Sequence, residues 1–272
     1  VFEDAGFPDG AMINLPIGSS KVKAIIENDL VMGATLTGSE YAGSQVAMQC
    51  GEQIKPTLLE LGGSDPFIVL EDANLEDAST VAVKARFQNN GQSCIAAKRF
   101  IVVEEVHDKF VEKFKEKLSA KKFGNPMEKD TDIGPLATEA ILNDIEKQVV
   151  GSVEKGAQVV LGGKRGEMES GFYYEPSILT GVEKGMPVYD EETFGPVAAV
   201  IKVKDEDEAI KVANDTKLGL GSSIWTKNTA RSKFLAKRIE AGAVFVNGMV
   251  KSDPRLPFGG IKKSGYGREL AS

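Results

Sequence analysis

The chain has 272 residues, 42% hydrophobic, 27% charged and 7% aromatic, enough to bury a sizeable core. Its net charge of −7 argues against gripping nucleic acid or an anionic membrane surface. Two cysteines (Cys50, Cys94) and one histidine (His107) are too few for a four-ligand Cys/His zinc site or a disulfide framework.

Strand-like and helix-like runs alternate from the start. Residues 31–37 are short, apolar and partly β-branched and read as a strand; a helix follows over 42–54, with Val46, Ala47, Cys50 and Ile54 at helical spacing. The run 66–70 (PFIVL) predicts a strand buried on both faces. Residues 75–85 read as a helix capped by Asn74, and 99–103 (RFIVV) as a strand. In 108–118, Phe110, Val111, Phe114 and Leu118 share one helical face. A Gly/Pro/Asp-containing loop spans 121–137, and a helix over 141–155 ends at Gly156, a suitable C-cap. The remaining pattern is strands at 158–161, 197–203, 222–225 and 244–247, with helices at 206–213 and 230–239. Such alternation implies an α/β fold with a mainly parallel sheet.

The chain starts on Val rather than Met and reads as a fragment or processed product. No apolar run approaches the roughly 20 residues that span a bilayer, and no basic stretch followed by apolar residues opens the chain. These features point to a cytoplasmic protein without a membrane partner.

Four segments carry chemical signals. In 87–94 (FQNNGQSC) a helical stretch breaks into amides and a glycine and then presents Cys94. A polar turn of that kind lowers a thiol's pKa and offers N–H groups to an oxyanion, although a free cysteine also serves as a small buried hydrophobe. In 58–63 (LLELGG), Glu60 sits among leucines, where desolvation lifts a carboxyl toward the range of a general base; an exposed head beside a turn is the plainer alternative. Thr37-Gly38-Ser39 joins a strand to a helix, the geometry that binds phosphate on free N–H groups, and also an ordinary strand-to-helix turn. Glu191–Pro196 sets Glu192 and Phe194 just ahead of a core strand, where α/β proteins bind ligands if this is the carboxyl edge. Cys50 reads as core and His107 as a solvated surface residue. Residues 251–269 hold five basic and two acidic side chains, a charge that either attracts an anion or is simply solvated. With one histidine available, proton transfers fall to carboxylates, Lys or Tyr.

Together and in order, these motifs resemble the NAD(P)-dependent aldehyde dehydrogenases. TGS at 37–39, LELGG at 59–63, NNGQSC at 89–94, GNPMEKDTDIGPL at 124–136, EETFGP at 191–196 and LPFGGIKKSGYGRE at 256–269 follow the family order. The runs LELGGSDPFIVL and FGPVAAVIKVKD look closest to the succinate-semialdehyde dehydrogenase branch. The resemblance implies a Rossmann-like catalytic domain over 62–250, the C-terminal part of a dinucleotide-binding domain over 1–61, and a closing segment over 251–272. It implies that Cys94 attacks the aldehyde carbonyl and that Glu60 activates the water that hydrolyses the resulting thioester, with NAD or NADP as cofactor and no metal. Gly18, Gly38, Ser39, Leu61, Glu192 and Phe194 would then meet the cofactor. Where some semialdehyde dehydrogenases carry an Arg six residues before the cysteine, this chain has Gln88. The distal carboxylate of the substrate then falls to Gln88, Ser252, Arg255 or a residue outside the chain.

The family chain is longer at both ends, and its oxyanion Asn and adenosine-ribose residues precede the position of Val1. The resemblance implies a homodimeric or homotetrameric parent enzyme. It leaves open a different small aldehyde as substrate, and a fragment that is inactive alone or retains only esterase activity.

Overall fold

The structure, a computed structural model, describes residues 1–168 and 170–271. A 3-10 turn at Ser19–Lys21 leads into helix α1 (Val22–Ile26), strand β1 (Ala34–Thr37), helix α2 (Glu40–Glu52) and strand β2 (Thr57–Glu60). Strands β3 (Asp65–Val69) and β4 (Ala97–Val103) flank helix α3 (Leu75–Phe87). Helices α4 (Glu104–Ser119) and α5 (Glu139–Val153) precede β5 (Gln158–Leu161), β6 (Ser177–Thr180), the short α6 (Pro187–Asp190) and β7 (Val197–Val203). Then come α7 (Glu206–Asn214), β8 (Leu218–Gly219), β9 (Gly221–Trp225), α8 (Thr229–Ala236), β10 (Ala243–Val246), β11 (Ile261–Lys262) and β12 (Gly265–Tyr266).

The main sheet has seven strands in the order β10-β9-β3-β4-β7-β6-β5, parallel except for the β5–β6 edge pair. Its central strands are buried along their whole length because both faces are covered. The two-residue period of a strand divides the apolar side chains between two cores. Ile68, Ile101 and Ile201 pack toward α5, α7 and α8, while Phe67, Phe100 and Val200 pack toward α3 and α4. On the second face Phe67 stacks on Trp225 with ring centroids 5.4 Å apart, and Phe100 meets Phe114 at 4.9 Å.

A separate three-stranded sheet pairs β1 and β2 in parallel, with β12 antiparallel to β2. Among the described residues, no helix is long and apolar enough to cross a membrane.

Asn74 caps α3 as expected, its side chain accepting from the Glu76 and Asp77 N–H groups, and Gly156 follows α5 at φ +111°. His107 departs from its expected place at the surface. Helix α4 begins at Glu104, so His107 falls inside it and is only 7% exposed. It shares the buried face with Phe110, Phe114 and Leu118 at helical spacing, and its Nδ1 lies 2.7 Å from Asp108.

Candidate active site

Strand β2 carries Glu60 at its last position, in register with Thr37 at the end of β1. The Gly38 N–H donates to the Glu60 carbonyl at 3.0 Å, which fixes the turn into α2. Ser39 is the N-cap of that helix, its Oγ accepting from the Ala42 N–H at 3.2 Å. The other first-turn N–H groups stay available for an anion.

The Cys94 turn is built from α3 outward. The helix ends at Phe87, and Asn89 and Asn90 take left-handed conformations with φ of 52° and 55°. Asparagine tolerates that region better than most residues. The Asn90 side chain accepts from the Gly134 N–H at 2.8 Å and donates to the Pro135 carbonyl at 2.9 Å, tying the turn to the long loop before α5. Beneath it lies the fully buried Arg86, donating to the carbonyls of Ala97 and Gly91 at 3.1 and 3.0 Å. It also reaches Thr193 at 3.0 Å and Gly195, so one guanidinium joins the Cys94 turn to the segment that carries Glu192 and Phe194. Lys98, also fully buried, donates to the Ser93 and Cys94 carbonyls at 3.0 and 2.9 Å.

Glu192 reaches back across the gap. Its Oε1 accepts from the Gly63 N–H at 3.0 Å and lies 3.3 Å from Lys98 Nζ. A Cβ on Gly62 would collide with the Glu192 carboxylate, and one on Gly63 with the Cys94 carbonyl. The Gly62–Gly63 pair is therefore what lets these three segments meet. Ser264 braces the other side, donating to the Gly62 carbonyl at 2.6 Å and accepting from the Gly219 N–H at 2.9 Å.

One cavity of about 530 Å³ results, with Gly38, Ser39, Glu60, Leu61, Cys94, Glu192 and Phe194 in its wall. It opens between the carboxyl ends of β1 and β2 and the amino ends of β3, β4 and β7. The segment 191–196 therefore sits at the amino edge of the main sheet, and the carboxyl-edge rule holds for the small sheet only.

Burial governs the electrostatics. Glu60 is 3% exposed, neither carboxylate oxygen has a hydrogen-bond partner, and its pKa is lifted to about 7. Burial is the main cause, Glu269 adds to it, and Arg268 opposes it. The Cys94 thiol is also pushed up, chiefly by burial, against the expectation that its turn lowers it; Lys98 and the Ile95 N–H pull the other way. Asp65, fully enclosed beside Lys98, is raised to about 6 by burial even though its Oδ1 accepts from the Gly221 N–H at 3.0 Å.

The other expected residues lie elsewhere. Gly18 is exposed in the N-terminal segment. Gln88 lines a different cavity, of about 570 Å³, with Lys84 and Phe87. Ser252 and Arg255 are exposed, and Arg255 pairs with Asp253 at 2.7 Å. Arg86, Lys98 and Asp65 were not anticipated. The only hint in the sequence is Lys98-Arg99 opening an otherwise apolar strand.

The model of the aldehyde dehydrogenase family matches residues 1–272. A succinate-semialdehyde dehydrogenase [NADP(+)] 1 of Mycobacterium tuberculosis is 50% identical over 272 residues, covering all of this chain and 59% of that protein. A succinate-semialdehyde dehydrogenase [NADP(+)] of Mycobacterium avium is 52% identical over 271 residues, covering 57% of that protein. The crystal structure of a succinic semialdehyde dehydrogenase from Streptococcus pyogenes in complex with NADP+ superposes with a TM-score of 0.95 at 40% identity, covering 99% of this chain and 59% of that one. The chain thus spans less than two thirds of the length of these relatives.

Proposed function

The chain belongs to the aldehyde dehydrogenase family, and from that premise we propose that it acts in the NADP-dependent oxidation of succinate semialdehyde to succinate. The observation that carries the reading is one cavity walled by Cys94, Glu60, Ser39 and Glu192. The relatives' substrate and cofactor support the choice of semialdehyde and of NADP.

The residues suit a dinucleotide. Gly38, Ser39 and the start of α2 offer N–H groups to a pyrophosphate. Glu192 offers a carboxylate to ribose hydroxyls, beside a Gly62 that has no room for a side chain. Leu61 and Phe194 supply apolar wall. When bound, the nicotinamide accepts the hydride.

Cys94, as thiolate, forms the carbon–sulfur bond to the aldehyde carbon. The Cys94 N–H has no acceptor among the described residues and is available to the oxyanion. Once the carbon is oxidised it is held on sulfur as a thioester. Glu60 takes a proton from water, the water oxygen adds to the carbonyl, and the carbon–sulfur bond breaks to release carboxylate and thiolate. A carboxyl near pH 7 is poised for that transfer. The separate three-stranded sheet supports reading 1–61 as the cofactor side and 62–250 as the catalytic side.

Two assays test the proposal. Formation of reduced nucleotide from succinate semialdehyde is expected to exceed that from butanal by at least about tenfold, the effect of pairing a distal carboxylate. Equal rates overturn the substrate. Hydrolysis of p-nitrophenyl acetate is expected to vanish in Cys94→Ser, and its persistence overturns the nucleophile.

A further inference from the structure

Lys98 opens a central strand yet is fully buried, and a buried ammonium needs acceptors for its three hydrogens. It has the Ser93 carbonyl at 3.0 Å, the Cys94 carbonyl at 2.9 Å, the Ala96 carbonyl at 3.4 Å and the Glu192 carboxylate at 3.3 Å. All four are pure acceptors, so the group they surround is a cation. The three carbonyls belong to the turn that presents the sulfur and the residues just after it. The carboxylate belongs to a side chain that is 25% exposed and lines the cavity. Lys98 therefore bridges the Cys94 turn and a carboxylate in the cavity wall.

Such a cation acts on the sulfur according to its second partner. While Glu192 lies against it, the carboxylate cancels much of its field at the thiolate. When hydroxyl donors draw Glu192 away, the cation's field falls on the Cys94 turn undivided. We propose that Lys98 is a positioning residue that couples Glu192 to Cys94, so that a hydroxyl-bearing ligand engaging Glu192 raises the reactivity of the sulfur. The proposal rests on the reading of Cys94 as nucleophile and adds a route by which cofactor binding activates it. The balance of charges agrees with it: Lys98 favours the Cys94 thiolate, while Asp65 and, less strongly, Glu192 oppose it. Asp65, whose Oδ1 accepts from the Gly221 N–H, and Arg86, held by backbone carbonyls, are the other buried charges nearby; neither lines the cavity, so neither is drawn away by a ligand.

The test is the pH dependence of Cys94 alkylation by iodoacetamide, read from the mass of the Cys94 peptide so that Cys50 does not contribute. Glu192→Gln is expected to lower the midpoint by about one unit, a rate increase at neutral pH of about three- to tenfold. Lys98→Met is expected to raise it by about one unit, Lys98→Arg to recover part of that, and the Glu192→Gln effect to fall by at least about half in the Lys98→Met background. Shifts of the same sign in the two single variants, or an undiminished Glu192→Gln effect in the double variant, overturn the coupling. If Lys98→Met does not fold, Lys98→Gln takes its place in the single and double variants, and an undiminished Glu192→Gln effect there overturns the coupling. A Cys94 that never alkylates in the folded chain, while the denatured chain does, overturns the nucleophile reading and the coupling with it.

Discussion

Glu60 joins stability and chemistry in one carboxyl group, which makes Glu60→Gln the most informative single change. The variant keeps the shape of the side chain and removes its ionisation. Unfolded, Glu60 titrates near its ordinary 4.5; folded, burial lifts it to about 7. Between those values the folded chain holds a proton that the unfolded chain has released, so stability falls as pH rises through this window. Below about pH 4.5 the group is protonated in both states and costs nothing, while above about pH 7 the folded state bears the full penalty. A displacement of that size is worth about 3 kcal/mol, reduced to about 2 by water in the open cavity. Glu60→Gln is therefore expected to exceed the unaltered chain in stability by about 2 kcal/mol near pH 8 and to match it near pH 4. Urea unfolding across that range measures the difference. The same variant lacks the proposed base, so release of an acyl group from Cys94 is expected to slow by about 10²- to 10⁴-fold while the initial acylation burst remains. A stability difference that ignores pH would refute the buried-carboxylate account, and unslowed deacylation would refute the assigned role.

Arg86→Met strips four buried carbonyls of their donor and is expected to cost about 3–5 kcal/mol in urea unfolding, with Cys94 alkylation accelerated as the turn loosens. A cost under about 1 kcal/mol would mean that water replaces the guanidinium without loss. Gly62→Ala and Gly63→Ala separate two kinds of crowding. The first meets the mobile end of Glu192, so thermal stability is expected to hold while nucleotide affinity in a fluorescence titration drops by about tenfold. The second meets the Cys94 backbone, so the melting temperature itself is expected to fall by several degrees, about 2–4 °C per kcal/mol lost.

The central sheet was readable because β3, β4 and β7 are continuous apolar runs, and the helices because their apolar residues keep a 3.6-residue spacing. Strand β2 was missed: it is four residues long and borrows its partners from β1 and β12, more than two hundred residues away in the case of Tyr266. His107 was misplaced because Glu104, Glu105 and Asp108 around it look like a solvated face, whereas the apolar set it joins begins three residues later at Phe110. For the site, Cys94, Glu60, Ser39 and Glu192 stand in recognisable motifs. The acidity of Cys94 did not follow from its motif, because desolvation outweighs the polar turn and depends on how closely segments distant in sequence, 60–63 and 192–194, come together around it. Arg86, Lys98 and Asp65 read as surface charges in any one-dimensional pattern; only the carbonyls gathered around the two cations, and the Gly221 N–H donated to Asp65, make their burial possible.

Those buried charges also explain how the turn can hold its carbonyls and still present the proposed nucleophile. A tight turn under a core strand points some carbonyls inward, where each unpaired one costs about 1–3 kcal/mol. Helix or sheet pairing would satisfy them but would consume the N–H groups as well. Here Arg86 takes Gly91 and Ala97, and Lys98 takes Cys94 and shares Ser93 with the Ala96 N–H, so most of these carbonyls are satisfied by side chains. The Cys94 N–H stays free for an oxyanion, and the Ile95 N–H favours the thiolate. Replacing either cation by an apolar residue of similar size removes donors from one side of the turn without supplying any on the other. The carbonyls must then turn outward for water, and the N–H groups must turn inward with them. On this argument, stability and oxyanion binding are lost together in the Arg86 and Lys98 variants. Glu192→Gln removes the charged partner of Lys98 but leaves the backbone bonds of both cations intact, so it is expected to change the sulfur's reactivity and to cost less stability in urea unfolding than Lys98→Met.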